Sequence, residues 1–343
     1  MEDSGDRTYD LFEDHILQGE PVYTLAECLA AKQKVKEAKY PDDETTAQDP
    51  SEIRELFRKT LSYCDERALA LIRHAEELSK QKAGTTLEAI NYYPFWLFHN
   101  WAFIYLFEND GSFYLVLPEE LAAIYHEVIA DEDFAPANAR NLELISYATA
   151  LAELYGIFEI DQFIAVWNHH HKEKITPMDA VDFLIFYQEF GADFFLDKGF
   201  AIHDSLNDDE FDDLWEKTYY MKYYMPTKSV IRECNVIRHD FDYKIPGEKE
   251  MDDFLAAYIN DEQALEIVQV EIVSSCKRLK SPEEVRKILD DAETPIDDAA
   301  FVAEFEKLYN TLRDNTHIWE LRGHTIYQFQ KETNQIVPRF RLA

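Results

Sequence analysis

The chain has 343 residues, of which 46% are hydrophobic, enough to fill real cores and to exclude an intrinsically disordered protein. Its 68 acidic and 34 basic residues give a formal charge of −34 at pH 7. This surplus disfavours direct contact with nucleic-acid backbones and anionic membranes, and it favours a basic protein partner or plain solubility.

Neither secretion nor a membrane anchor is predicted. Residues 1–14 are acidic where a signal peptide is basic and then apolar, and no apolar run approaches the ~20 residues of a membrane-spanning helix. The four cysteines, Cys28, Cys64, Cys234 and Cys276, lie far apart without a Cys-x-x-Cys pair, which argues against structural zinc and a disulfide framework. We therefore expect a cytoplasmic protein with no metal and no cofactor.

The first predicted segment, residues 1–50, is acidic and polar, and we expect it to be partly flexible or peripheral. It contains one helical pattern at residues 25–37 and a predicted linker at residues 40–50. From Ser51, which we predict as an N-cap, apolar spacing indicates one long helix or two abutting helices to about Lys80.

Residues 51–135 are predicted to form a first winged-helix-like module. An aromatic-rich helix after Leu87 precedes two β-prone runs, residues 101–107 and 113–117, joined by Asn109-Asp110-Gly111. Asp-Gly between apolar runs is a strong hairpin signal.

The aromatic residues of this module have two interpretations. They could form a base-stacking platform, but no Lys or Arg occurs between Leu87 and Leu121, so a buried core is favoured. Some rings could instead contact a protein partner, and Trp96 and Trp101 are our candidates.

Residues 136–225 are predicted to form a second winged-helix-like module. Apolar spacing predicts helices at residues 142–155, 159–170 and 177–190, followed by a hairpin of residues 193–196 and 200–203. Gly156 is expected to end the first helix in the left-handed conformation, and Thr176 with Pro177 to begin the third. Lys198-Gly199 supplies the hairpin turn.

The charges of the second module oppose the nucleic-acid function that a winged helix suggests. Residues 142–206 hold eleven acidic residues against three lysines, a net charge of −8. Its third helix carries Asp179, Asp182 and Glu189 and no Lys or Arg, whereas entry into a DNA groove needs cations. Direct nucleic-acid binding is therefore disfavoured.

Residues 226–343 are predicted to form a C-terminal helical bundle. Its helices are expected at residues 249–258, 261–279, 281–291 and 296–313. The predicted fold class is thus mainly α with small β-hairpins, comprising two winged-helix-like modules and this bundle.

The segment after Asn310 places polar residues around a single Trp. Its matching residues follow an Asn-Thr-Arg-x-Trp-x-x-x-Gly-His-Thr pattern, with His317 in the place of Arg: Asn315, Thr316, Trp319, Gly323, His324 and Thr325. Residues 117–121, 154–156 and 224–228 carry further short likenesses. On these points the chain resembles uncharacterised bacterial helical proteins that often carry a C-terminal SEC-C metal-binding tail. The tail is absent here, so the resemblance implies architecture and no zinc site.

Candidate chemistry is sparse. The run His169-His170-His171 could ligate a metal, but consecutive residues point in different directions, so an exposed helix end is favoured. The doublets His203-Asp204 and His239-Asp240 lie in a predicted wing and loop rather than on helices. Ser and Cys residues lack a nucleophile elbow, and no phosphate-binding glycine loop is present.

We therefore expect a non-catalytic, acidic protein-interaction or adaptor protein of the bacterial cytoplasm, whose partner has a basic surface. The candidate contact residues are His317, Trp319, Arg322, His324, Trp96 and Trp101, since Trp and Arg often anchor interfaces. In the alternative interpretation Trp319 closes a core. Two other functions stay open. One is a nucleic-acid mimic that occupies a basic groove; the other is a winged-helix DNA-binding regulator, for which Arg232, Arg238, Arg339 and Arg341 would have to gather on one face.

Overall fold

The chain is mainly helical in the computed structural model, which describes residues 11–39, 48–234 and 245–342. Within these ranges there are fifteen α-helices and two sheets of three short strands each. The predicted mainly α fold class with small hairpins is confirmed at this level. The chain divides into two compact units, Met1–Leu144 and Ile145–Ala343, where we predicted four segments. Most of the predicted linker, residues 40–47, lies outside the described residues.

The first unit contains five complete helices. They are α1 (Leu25–Lys39), α2 (Pro50–Leu61), α3 (Glu66–Gln81), α4 (Tyr92–Asn100) and α5 (Glu119–Ile129). The cap of α2 is Asp49 rather than Ser51, because the Asp49 carboxylate accepts the Ser51 N–H at 2.8 Å and Pro50 opens the helix. A second cap, Asp65, starts α3, so of the two predicted alternatives the pair of abutting helices is confirmed.

The sheet of the first unit comprises β1 (Ile16–Gln18), β2 (Tyr105–Asn109) and β3 (Ser112–Val116), in that order. Strands β2 and β3 are antiparallel, and the predicted hairpin is confirmed: Asp110 and Gly111 both have positive φ, at 51° and 75°. Strand β1, which the sequence did not predict, pairs in parallel with β2. The described part of the N-terminal segment is therefore not a peripheral tail.

The core of the first unit is aromatic. Its most deeply buried rings, each at most 2% exposed, include Phe57, Phe95, Phe98, Phe103, Tyr105 and Phe107. The N-terminal segment contributes Leu25 and Cys28, both fully buried. The buried-core interpretation is thus confirmed for five of the eleven aromatic residues between Leu87 and Leu121, whereas Tyr93 and Trp96 are exposed. On the β3 side of the sheet, Thr85 forms an isolated antiparallel bridge with Phe113.

The second unit begins within α6 (Phe134–Tyr155). It continues with β4 (Ile157–Glu159), α7 (Ile160–His170), α8 (Pro177–Glu189), β5 (Phe194–Asp197), β6 (Phe200–His203) and α9 (Asp208–Thr218). All three strands are antiparallel, in the order β4-β6-β5.

Local signals in this part of the sequence predicted most boundaries correctly. Gly156 has φ of 70° after α6, and Thr176 with Asp179 forms a capping box at the start of α8. Lys198 and Gly199 both have positive φ in the hairpin turn. Strand β4 was missed because three residues are too few to show an alternating pattern.

The remaining helices are α10 (Lys228–Cys234), α11 (Glu248–Leu255), α12 (Glu262–Lys277), α13 (Pro282–Asp291), α14 (Ala299–Asn315) and α15 (Ile326–Thr333). The four helices predicted in this region are confirmed within a few residues at each end, and α15 is an addition. The fully buried residues of this helical region include Leu255, Cys276, Leu289, Phe305 and Tyr309. In the described part of the chain, no helix is both long and apolar enough to cross a membrane.

Candidate functional site

Three short sequence motifs that lie far apart in the chain meet inside the second unit. The Trp319 ring packs on Gly156, where a Cβ atom would lie 2.5 Å from the ring, and the Trp319 indole N–H donates to the Glu153 carbonyl at 2.9 Å. At Gly323 a Cβ atom would lie 2.6 Å from the Tyr155 ring. The two glycines therefore make room for aromatic side chains. We call this contact region the motif junction.

A third segment joins the motif junction through Tyr224. Its N–H donates to the Arg322 carbonyl at 3.0 Å, and its own carbonyl accepts the Tyr155 hydroxyl at 2.6 Å. The Tyr224 ring stacks on His317, with centroids 5.2 Å apart. Residues 154–156, 224–228 and 315–325, which carried the family resemblance, thus contact one another.

Arg322 is the most deeply buried charged residue of the motif junction, with 1% exposure. Its Nε donates to the Thr218 carbonyl at 3.1 Å, and its guanidinium lies 5.1 Å from the Trp215 ring centroid. One Nη group donates to the Tyr223 hydroxyl, which in turn donates to Glu159. Burial raises the pKa of Tyr223 despite the opposing Arg322 charge, so the hydroxyl stays protonated.

The two histidines of the motif junction also point inward. His324 is 5% exposed, and its Nδ1 donates to the Leu321 carbonyl at 2.7 Å. His317 is half-buried, its Nδ1 donates to the Gly323 carbonyl at 2.6 Å, and burial lowers its pKa. These bonds hold the imidazole rings against the backbone.

The candidate partner contacts therefore fall into two groups. Trp319, Arg322 and His324 are at most 5% exposed, so they offer too little surface to anchor a protein partner while the unit is folded. The core-closing interpretation of Trp319 is the one its geometry favours. Trp96 is 37% exposed on α4, and Trp101 is half-buried after that helix.

A further ionic group lies beside the motif junction. The Lys277 ammonium donates to Glu153, and the His203 Nε2 lies 3.6 Å from the same carboxylate. Burial raises the pKa of Glu153, but the Lys277 charge and the two hydrogen bonds outweigh burial and set it well below its ordinary value. The sequence missed this group because its members lie on three elements.

The histidine run does not assemble a metal site with other described residues. The His170 ring bonds the Tyr147 hydroxyl at 2.9 Å, and the His171 ring stacks on Trp167 with centroids 3.9 Å apart. Among the described residues, no group of three or more His, Cys, Asp or Glu side chains has the geometry to hold a metal ion. The doublet His239-Asp240 lies outside the described residues.

The basic C-terminal tail does not form a free cationic patch. Arg341 pairs with Glu306 at 2.7 Å, and Arg339 lies 3.8 Å from Asp314. Arg238, which a DNA-binding face was expected to include, lies outside the described residues.

The helices that precede the two hairpins present exposed residues at the same spacing. On α4 these are Tyr93, Trp96 and Asn100, which we call the α4 face; on α8 they are Met178, Asp182, Ile185 and Glu189, the α8 face. Trp96 and Ile185 each lie nine residues before the first strand of the following hairpin. The two faces therefore lie at the same sequence distance from the hairpin that follows them.

Neither face contains a cation. Tyr93 is 56% exposed and Trp96 37%, while Met178 is 69% exposed and Ile185 50%. The α8 face adds two carboxylates to its apolar residues. Lys198, in the turn between β5 and β6, lies 3.3 Å from its neighbour Asp197.

Comparisons of this chain with protein-family models, with curated proteins and with solved structures found no match. The function must therefore be argued from the residues themselves.

Proposed function

We propose that the chain is a non-catalytic interaction or adaptor protein of the bacterial cytoplasm. On this proposal each unit binds a protein segment that is both basic and apolar, the first unit through the α4 face and the second through the α8 face. The observation that carries the proposal is the repeated exposure of large apolar residues at equivalent positions of two helices that have no Lys or Arg. Exposed aromatic and aliphatic side chains are typical of interfaces.

The order of elements supports treating each region as a winged-helix-like module. In the second, a helix, strand β4, helices α7 and α8 and the hairpin β5–β6 follow in sequence, and β4 pairs with the last strand of the hairpin. In the first, Thr85 pairs with the last strand of the hairpin in the same way. The α4 and α8 helices would then hold the place that contacts a partner in such modules.

The charges favour a basic protein over a nucleic acid as that partner. Asp182 and Glu189 flank Ile185, so the α8 face attracts cations around an apolar centre. The Trp96 ring of the α4 face offers a π surface on which a Lys or Arg side chain can lie. A phosphate backbone would meet carboxylates instead of the cations that it needs.

The test compares two isoleucines in the second unit. Ile185 on α8 and Ile267 on α12 are 50% and 60% exposed, and both have acidic neighbours. The probe is a fluorescent amphipathic helical peptide with leucines on one face and lysines on the other. We expect Ile185→Lys to weaken binding about tenfold, because it loses an apolar contact and adds repulsion, and Ile267→Lys to change it less than about twofold.

Two outcomes of this titration would contradict the proposal. Equal loss in both variants would mean that the peptide is held by net charge alone. Tighter binding of a duplex DNA probe than of the peptide at physiological salt would favour the DNA-binding regulator instead.

A nucleic-acid mimic is the second candidate, because exposed carboxylates follow one side of α9. Asp208, Asp212 and Glu216 recur at four-residue intervals, about 6 Å apart along the helix. A mimic predicts that duplex DNA and this chain compete for one basic partner, whereas binding through the α8 face predicts that Asp212→Lys leaves partner affinity unchanged.

A further inference from the structure

An open cleft of about 310 Å³ lies in the second unit. Its walls are α9, the turn that joins α12 to α13, and the segment that contains Trp319 and Glu320. Leu206, Leu214 and the Trp319 ring give it an apolar floor. The volume is at the lower end of the range for small-molecule sites, so it suits a compact ligand.

One part of the cleft has more carboxylates than cations. The Lys217 ammonium lies 2.7 Å from Asp213 and 3.0 Å from Glu320, so two carboxylates share one positive charge. Burial raises the pKa of Glu320, against the opposing effect of Lys217, because the carboxylate is only partly compensated. A ligand ammonium placed here would complete the pairing.

Another part of the cleft offers a cation. Lys280 lines the cleft near Glu284, whose carboxylate accepts the Ser281 N–H at 2.7 Å. The Ser281 hydrogen bonds and, to a smaller extent, the Lys280 charge lower the pKa of Glu284, and among the described residues no carboxylate lies within ion-pair distance of Lys280. Arg278, by contrast, is held by Glu210 at 2.7 Å, and its guanidinium lies 5.2 Å from the Trp319 ring centroid. Lys280 is therefore the group that can accept a ligand carboxylate without breaking an existing bond.

We propose that this cleft binds a free α-amino acid with an apolar side chain. The ammonium lies beside Asp213 and Glu320, the carboxylate beside Lys280, and the side chain on the floor of Leu206, Leu214 and Trp319. The lining contains four carboxylates and three cationic groups, a near balance that suits a ligand of zero net charge. A phosphate ester would be repelled by the carboxylates.

The test is isothermal titration calorimetry of the full chain with L-leucine, leucinamide and N-acetyl-leucine. We expect L-leucine to bind and each analogue to bind at least about tenfold more weakly, because leucinamide lacks the carboxylate and the acetyl compound lacks the ammonium. Leucinamide that binds as tightly as leucine would overturn the proposal, since the site would then recognise an amine or a peptide N-terminus. No detectable binding of leucine or of phenylalanine at millimolar concentration would overturn it as well.

Two lysines of the second unit provide the variants. Lys280→Gln removes the proposed carboxylate partner, whereas Lys287→Gln changes an exposed lysine of α13 that does not line the cleft. Circular dichroism checks that both variants are folded. We expect about a tenfold loss of leucine affinity in the first variant and none in the second. An unchanged affinity in Lys280→Gln would overturn the assignment.

Discussion

The hairpin β2–β3 of the first unit and the hairpin β5–β6 of the second follow their preceding helix at the same spacing. Six residues after Trp96 the chain enters the left-handed region at Ala102, with φ of 61°, and six residues after Ile185 it does so at Gly191, with φ of 91°. Both turns have positive φ at two successive residues. Equivalent backbone geometry is thus reached with different side chains.

The two hairpins differ at the outer edge of their first strand. In the first unit β1 covers the edge, and the Gly19 N–H donates to the Glu108 carbonyl at 2.9 Å. In the second unit no described strand pairs with this edge of β5, and the Gln188 side chain accepts the Leu196 N–H at 2.8 Å. Backbone groups at this edge are therefore hydrogen-bonded by a strand in the first unit and by one side chain in the second.

A second difference lies in the surroundings of one glutamate in each unit. In the first unit Glu76 bonds Lys80 and His126, whose side chains are 65% and 54% exposed. In the second unit Glu153 bonds Lys277 and His203, whose side chains are only 13% and 12% exposed. The basic partners of the glutamate are therefore more buried in the second unit than in the first. The motif junction of the second unit adds two close glycine contacts. The following predictions test these differences, from the largest expected effect to the smallest.

The largest effect is expected at Gly156. A Cβ atom there would meet the Trp319 ring at a position whose φ is also positive, so Gly156→Ala should destabilise the second unit by more than about 4 kcal/mol. Gly111→Ala and Gly199→Ala, in the two hairpin turns, have positive φ but open space, and should cost about 1–2 kcal/mol each. Urea unfolding followed by tryptophan fluorescence measures all three. Equal costs would show that the contact with Trp319 is unimportant.

The next effect concerns the two glutamates. Glu153→Gln should lower the free energy of unfolding at pH 7 by about 3 kcal/mol, because it leaves Lys277 buried without its counter-charge. Glu76→Gln should cost about 1 kcal/mol, since its partners are exposed and screened.

The pH dependence gives this pair a second readout. Because the folded-state pKa of Glu153 is depressed, its ionised form stabilises the unit above the unfolded value of about 4.5, and that stabilisation is lost as the pH falls below it. The difference between wild type and Glu153→Gln in urea midpoints should therefore shrink as the pH is lowered from about 5 to about 3. A difference that grows on acidification would contradict the assigned direction.

A smaller effect is expected at the edge of β5. Gln188→Ala leaves the Leu196 N–H without its acceptor and should cost about 1 kcal/mol. The uncovered edge should also promote association between chains, which size-exclusion chromatography detects. Gln188→Glu keeps an acceptor oxygen and serves as the control, so self-association of the Ala variant alone is the expected result.

The smallest effects on stability are expected on the two faces. Trp96→Phe and Ile185→Lys each keep most of the apolar area that the native side chain buries, and should each change the free energy of unfolding by less than about 1 kcal/mol. Thermal unfolding checks this. A cost of several kcal/mol in either variant would show that the side chain belongs to the core rather than to an interaction face.

Sequence reasoning succeeded where the signal is local. Thr176, Pro177 and Asp179 encode the start of α8 within four residues. Asp110-Gly111 likewise encodes the turn between β2 and β3 through its own residues alone. Strand β1 was missed because its three residues become a strand only by pairing with β2, almost ninety residues later.

The motif junction could not be predicted for the same reason. Arg322 and Trp319 are residue types that often anchor interfaces, and no local pattern shows that Thr218, Tyr223 and Gly156 enclose them. The available signal was the pair of glycines, because a Gly such as Gly156 or Gly323 can mark a place where another group approaches the backbone closely. Exposure on α8, by contrast, follows directly from helical spacing around Phe183, Leu184 and Tyr187.

The most direct test of the account is photocrosslinking in the native cell. p-Benzoylphenylalanine replaces Ile185 on the α8 face in one variant and Ile267 on α12 in the other. The account predicts that the first variant crosslinks to a protein with a basic, apolar surface and that the second does not. Crosslinks to nucleic acid at position 185, or the same products from both positions, would contradict it.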